Sequence, residues 1–140
     1  MKDKLNKLEI FQKSINSTFN ESPVLLSPKD YELRYKLMRE ENEEYLEACN
    51  EGNIVEVVDA LGDQLFVLLG TIISHGMQHI IDDVFNEISG SNMSKLDENG
   101  KPIINGQNGV LDNTKPLGKV LKSKMYYAPD LERIFEKHKL

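Results

Sequence analysis

Tryptophan is absent, cysteine occurs once and histidine three times among 140 residues. The single Cys49 cannot close an intramolecular disulfide, and one cysteine with three histidines matches no structural zinc spacing. Free cysteine usually behaves as a small apolar residue, so Cys49 is expected in a core, in a reducing compartment. Basic excess is lacking as well: 17 Lys and Arg face 23 Asp and Glu, a net charge of −6. That excludes a broad nucleic-acid-binding surface, which needs clustered cations. A small anionic ligand stays open, because a bound metal can reverse the local sign. No apolar run of signal-peptide type opens the chain, so a cytoplasmic location is expected. No Gly-x-x-x-x-Gly-Lys-Ser/Thr loop is present, which argues against a P-loop nucleotidase. Internal repeats and low-complexity tracts are missing too.

What is there is helical periodicity. A chain of this length is expected to form one domain over residues 1–140, with a core large enough to need no staple. A helical core spans about residues 3–89, and an irregular extension rich in Gly, Asn, Pro and Lys spans about residues 90–140. A first helix is expected from Asp3 to Ser17, with Leu5, Leu8, Phe11 or Gln12, and Ile15 on one stripe. A second starts with Ser27 as N-cap and Pro28 at the first helical position, and ends before Gly52. Asn53 caps a third, which runs to about His75. The tight turn between them makes these two an antiparallel hairpin. A fourth helix is expected over Gln78–Ile88, a small hairpin around Lys101–Ile104 and Lys119–Leu121, and a last short helix from Pro129. The expected class is all-α: an antiparallel four-helix bundle with an irregular C-terminal extension.

The third helix is apolar nearly all round, from Ile54 to Ile73, which suits the centre of a bundle. It is also about long enough to span a bilayer. However, it carries Glu56, Asp59 and Asp63, each costing about 2.5–3.5 kcal/mol or more at the bilayer centre. No membrane is expected. These three acids are spaced three and four residues apart, so they form one stripe. On the second helix Leu33, Leu37, Glu40, Glu44 and Ala48 follow one seam, interrupted by acids where apolar residues belong. A Glu-Glu-Asn-Glu-Glu run by itself is usually a solvated helix face. Facing the second stripe across a hairpin, it becomes costly. Two carboxylates about 6 Å apart repel by roughly 3 kcal/mol at an effective dielectric near 20. Protonation, basic partners or a metal would relieve this, and bases near the cluster are few. Carboxylate ligation selects a hard cation, so Mg²⁺ is expected, with Mn²⁺ as the substitute.

These segments resemble the all-alpha nucleoside triphosphate pyrophosphatase superfamily, which includes MazG, the dimeric dUTPases and the phosphoribosyl-ATP pyrophosphohydrolases. The Glu-Glu-x-x-Glu segment is Glu40-Glu41-Asn42-Glu43-Glu44. The Glu-x-x-Asp segment is Glu56-Val57-Val58-Asp59, followed by Ala60-Leu61-Gly62-Asp63-Gln64-Leu65-Phe66. One departure is Ala60, where MazG-like members carry an acid. Either Glu56 and Asp59 take the metal role, or Asp63 does with Asp59 filling in. Ser91-Asn92-Met93-Ser94-Lys95-Leu96 and Gly118-Lys119-Val120-Leu121-Lys122 resemble a bacterial and phage subgroup of phosphoribosyl-ATP-pyrophosphohydrolase-like proteins.

The resemblance implies hydrolysis of a nucleoside triphosphate between the α and β phosphates, giving a monophosphate and pyrophosphate. It implies metals on Glu40, Glu44, Glu56, Asp59 and Asp63, and Glu41 is assigned to orient or deprotonate the water. Substrate contacts are expected from Asn92, Lys95, Lys119, Lys122 and Tyr126. Arg34 either contacts phosphate or pairs with Asp30. A homodimer or pair of dimers is implied, completing the bundle. The substrate is expected to be dUTP or another non-standard or pyrimidine nucleotide. Phosphoribosyl-ATP is the alternative, and a non-catalytic dimerisation or adaptor module is the competing class.

Overall fold

The computed structural model describes residues 1–139. It is all-α apart from one two-stranded ribbon: α1 (Lys2–Ser14), α2 (Pro28–Glu51), α3 (Ile54–Ser74), α4 (Ile81–Met93), β1 (Ile103–Ile104), β2 (Val120–Leu121) and α5 (Leu131–Lys137). The chain divides into two compact units, Met1–Ile81 and Asp82–Lys139.

In the first unit α1 and α2 both pack on α3. The hairpin is written in its caps. Ser27 accepts the Asp30 amide, Pro28 opens α2, and Gly52 closes it at φ 68°. Asn53 then accepts from the amides of Val55 and Glu56 and starts α3. Leu5, Leu8, Leu69 and Ile73 form the core, with Phe19, Ile72 and Ile81 against it. Phe11 meets Phe66 edge to face at 5.2 Å.

Helix α1 stops at Ser14, short of the expected Ser17. Asn16 turns left-handed at φ 54°, and the Ser17 amide returns to the Gln12 carbonyl. Gln12, not Phe11, is the buried position: its amide nitrogen donates to Thr18 O and Ser74 Oγ. Cys49 is exposed rather than in the core, because the buried face of α2 passes through Ala48.

The α2 seam is also rotated from its expected position. Leu33 is half exposed and Glu40 exposed, whereas Arg34, Leu37, Met38 and Glu41 are partly buried ahead of Ala48. Arg34 lies on this face because its guanidinium finds acceptors on α3, at Thr71 Oγ1 (3.0 Å) and Val67 O (2.9 Å). Helix α3 is the one described helix long and apolar enough to cross a membrane by length and composition. Here it is flanked by α1 and α2.

Helix α4 begins at Ile81, the last residue of the first unit's run, and continues through the second to Met93, three residues later at its start and five later at its end than expected. Residues 78–80 form a turn instead, with Ile80 and Ile81 amides on Met77 O. Gly90 does not end α4, because it serves packing: a Cβ there would meet the Tyr127 hydroxyl. β1 and β2 pair antiparallel, Ile103 with Leu121 and Ile104 with Val120. Between them Asn105 is buried, and its amide holds the loop through the carbonyls of Asp112, Lys115 and Pro116. Helix α5 docks through buried Ile134 and through pairs of Arg133 with Glu87 and of Lys137 and His138 with Asp83. Hydrogen bonds from His138 and Lys137 hold the Asp83 carboxyl below the usual carboxylate range.

Candidate active site

The acids of the hairpin separate into two neighbouring groups. Glu41 is the best buried of its run, since it faces α3. Burial first, then the charges of Glu44 and Asp63, a hydrogen bond to Glu44 and the charge of Glu40 push its pKa above the ordinary glutamate value. Its Oε2 is buried and has no hydrogen-bond partner. Gln64, one residue beyond Asp63, donates to Glu41 O at 3.4 Å and to Asn42 Oδ1 at 3.2 Å, which ties the two helices beside this carboxylate.

Towards the hairpin turn, Glu44, Glu47 and Glu51 on α2 face Glu56 and Asp59 on α3 across a cleft of about 290 Å³. Ala48 and Ala60 line it as well. These small side chains leave room between the carboxylates, which gives Ala60 a local reason. Glu47 and Glu51 were not singled out from the sequence, although they lie three and seven residues beyond Glu44, on its face. Glu44 belongs to both groups: it borders the cleft and presses on Glu41. The structure thus brings together Glu40, Glu41, Glu44 and Asp63, and separately Glu44, Glu56 and Asp59. Among the described residues no three acids, histidines or cysteines converge into a ready coordination shell. All-oxygen donors nevertheless suit a hard divalent cation that keeps several waters. An unpartnered buried carboxylate oxygen beside like charges is what such a cation would relieve.

Arg34 does not pair with Asp30, which accepts the Ser27 hydroxyl instead. Burial pulls its pKa down. The guanidinium lies over Gly70, where any Cβ would collide with it and with Gln12 Oε1.

The remaining candidates lie in the second unit. Lys95 Nζ donates to Asn92 Oδ1 at 2.7 Å. Lys122 Nζ sits 4.5 Å above the Tyr126 ring, a cation–π contact. Lys119 is exposed, and its carbonyl accepts from the Asn105 amide beside the ribbon. The acidic excess of the chain lies in residues 1–81, and lysines outnumber acids in residues 90–128.

The all-helical fold and the acid-lined hairpin belong to the class of nucleotide pyrophosphohydrolases, hydrolases acting on acid anhydrides. A family model described as phosphoribosyl-ATP pyrophosphohydrolase matches residues 8–92, more than half of the chain, from the middle of α1 to the end of α4, and the chain belongs to that family. No curated protein matches it.

Proposed function

We propose that the protein hydrolyses a nucleoside triphosphate between its α and β phosphates, releasing a monophosphate and pyrophosphate with Mg²⁺ or Mn²⁺ bound. The observation that carries this reading is Glu41: a partly buried carboxylate with one orphaned oxygen, crowded by Glu44, Asp63 and Glu40. The acids present fit a hard divalent cation, with Glu40, Glu44 and Asp63 around Glu41 and Glu56 and Asp59 across the cleft. When bound, such a cation polarises phosphate oxygens and acidifies water.

Glu41 is assigned to orient the attacking water and take its proton, because its buried Oε2 has no hydrogen-bond partner of its own. The walls formed by α2 and α3 hold the acids at fixed spacing, so little reorganisation accompanies the reaction. Lys95, Lys119 and Lys122 offset phosphate charge, and Tyr126 offers a ring for stacking. Arg34, with its donors on Val67 O and Thr71 Oγ1, braces α2 against α3. Its charge also meets no carboxylate partner among the described residues, so it remains a phosphate contact as well. The apolar side of α3, exposed at Ile54, Val58 and Leu61, supports a homodimer or a pair of dimers in which a second copy covers it. The cytoplasm suits a nucleotide hydrolase of this kind.

The substrate we favour is dUTP or another non-standard or pyrimidine nucleotide, as in removal of unwanted nucleotides from the pool. Phosphoribosyl-ATP is the second reading, favoured by the description of the matching family. One panel separates them: natural and non-standard nucleotides and phosphoribosyl-ATP, each with Mg²⁺ or Mn²⁺, with pyrophosphate measured. Release is expected to vanish in EDTA and to fall at least about a hundredfold in Glu44→Gln and in Asp59→Asn. Orthophosphate in place of pyrophosphate would overturn the reaction class. No turnover by a folded protein would make it an adaptor module.

A further inference from the structure

Lys95 is held at both its backbone and its ammonium. Its backbone is clamped by Ser123, whose amide donates to Lys95 O at 3.2 Å. The Ser123 hydroxyl lies within reach of the carbonyls on either side, Ser94 O at 3.1 Å and Leu96 O at 2.7 Å. Its ammonium is clamped by Asn92. The Asn92 Nδ2 donates to Ile88 O at 3.0 Å, one turn back on α4. A carbonyl accepts only from the NH₂ side of an amide, so this bond sets the orientation of the Asn92 group. Oδ1 then points at Lys95 Nζ, 2.7 Å away.

The partner of Lys95 is therefore neutral. Four other cations of this unit are matched with carboxylates, Lys115 with Asp112, Arg133 with Glu87, Lys137 with Asp83 and Lys139 with Glu136, whereas Lys101, Lys119, Lys122 and Lys124 have no such pair among the described residues. Among the described residues Lys95 makes no such pair. Two of its three N–H donors are left over from the bond to Asn92, on a side chain that this bond holds. Ordering a lysine normally costs rotamer entropy at the moment of binding, and here much of that cost is met beforehand. Each polar end of Asn92 meanwhile holds one of these bonds, which fixes the amide between Ile88 and Lys95.

We infer that Lys95 is a pre-organised phosphate contact, and that Asn92 and Ser123 are positioning residues for it rather than readers of the nucleobase. This rests on the nucleotide reading above and deepens it. Two measurements on the full chain test it. The first is calorimetric binding of inorganic tripolyphosphate with Mg²⁺. The second is the KM and kcat of pyrophosphate release from dUTP, dCTP, dATP and dGTP.

Lys95→Met and Asn92→Ala are each expected to weaken tripolyphosphate binding about tenfold. The double variant is expected to be no weaker than Lys95→Met, because Asn92 acts through Lys95. Asn92→Ala should raise KM for all four nucleotides by a common factor and leave kcat nearly unchanged. Asn92→Asp keeps the acceptor but places a carboxylate against the ammonium. It should bind tripolyphosphate as poorly as Asn92→Ala while melting no lower than wild type, which separates lost charge from lost fold. Ser123→Ala should weaken binding in the same direction.

Additive losses in the double variant, a base-dependent change in KM, or wild-type protein that does not bind tripolyphosphate would each overturn the inference. If the binding cycle holds but no nucleotide releases pyrophosphate, the reaction assignment fails and the inference stands. If wild type is active and Asn92→Ala binds normally, the inference alone fails.

Discussion

Glu41 has a proton affinity raised by burial and by three neighbouring acids, and the sign of that shift has consequences. The fold favours its protonated form. The corresponding stabilisation is complete below the ordinary glutamate pKa and is lost as pH rises through the raised value. At neutral pH the ionised group therefore works against the metal-free fold. Glu41→Gln is expected to raise the melting temperature of EDTA-treated protein near pH 7, with the gap closing towards about pH 4. The same variant should lose pyrophosphate release by roughly 10²–10⁴-fold. Calorimetry across pH checks the first part; a gap independent of pH would mean that Glu41 carries no unrelieved charge. Residue identity made this position visible only in part. The Glu-rich run marked an acidic site, but the choice between Glu40 and Glu41 as the packed member depended on the rotation of α2. Arg34 sets that rotation by reaching Val67 O and Thr71 Oγ1, contacts that no spacing in the chain announces.

At the scale of elements, the hairpin was legible because its boundaries are local chemistry. Ser27, Pro28, Gly52 and Asn53 satisfy or release helix-end groups within a few residues, so they read the same way in the chain and in the fold. Helices α1 and α4 were less legible at their ends. Gln12 is drawn inwards by Thr18 and Ser74, and Gly90 stays helical because it lies under the Tyr127 hydroxyl. Gly70 shows the same principle inside a helix. Glycine costs about 1 kcal/mol there relative to alanine, so Gly70→Ala would ordinarily stabilise α3. In this fold the new methyl would strike Arg34 and Gln12. Gly70→Ala is expected to destabilise by about 1–3 kcal/mol, measured by urea unfolding. A gain in stability would show that Arg34 is not fixed at the crossing of α2 and α3.

For the molecule as a whole, α3 presents more apolar surface than its own chain covers. Ile54, Val58, Leu61, Leu65 and Leu68 follow one another at four, three, four and three residues, and all are exposed by 44% or more. Exposed patches of this extent mark an association surface. The acids of α3 lie on a different stripe and leave this one free for a second copy. If the proposed homodimer forms through this stripe, Leu61→Glu should shift it to monomers in analytical ultracentrifugation, with the helical content of circular dichroism retained. A monomeric wild type at micromolar concentration would exclude the second copy as the occupant.

The sequence alone determined what depends on neighbours along the chain. That comprises the helical class, the capped hairpin, the place of the β1–β2 ribbon, and the acidic stripes at helical spacing. Tertiary structure decided which face of each helix turned inwards. It exposed Cys49, buried Gln12, and moved the packed seam of α2 from Leu33 and Glu40 to Arg34 and Glu41. It also gathered Glu47 and Glu51 into the acidic cleft and turned Asn92 towards Lys95. The physical reason is that spacing defines a stripe, while the rotation of that stripe depends on partners distant in the chain. Those partners are a carbonyl at Val67, a hydroxyl at Ser74 and the space above Gly70, and they exist only once the helices have met.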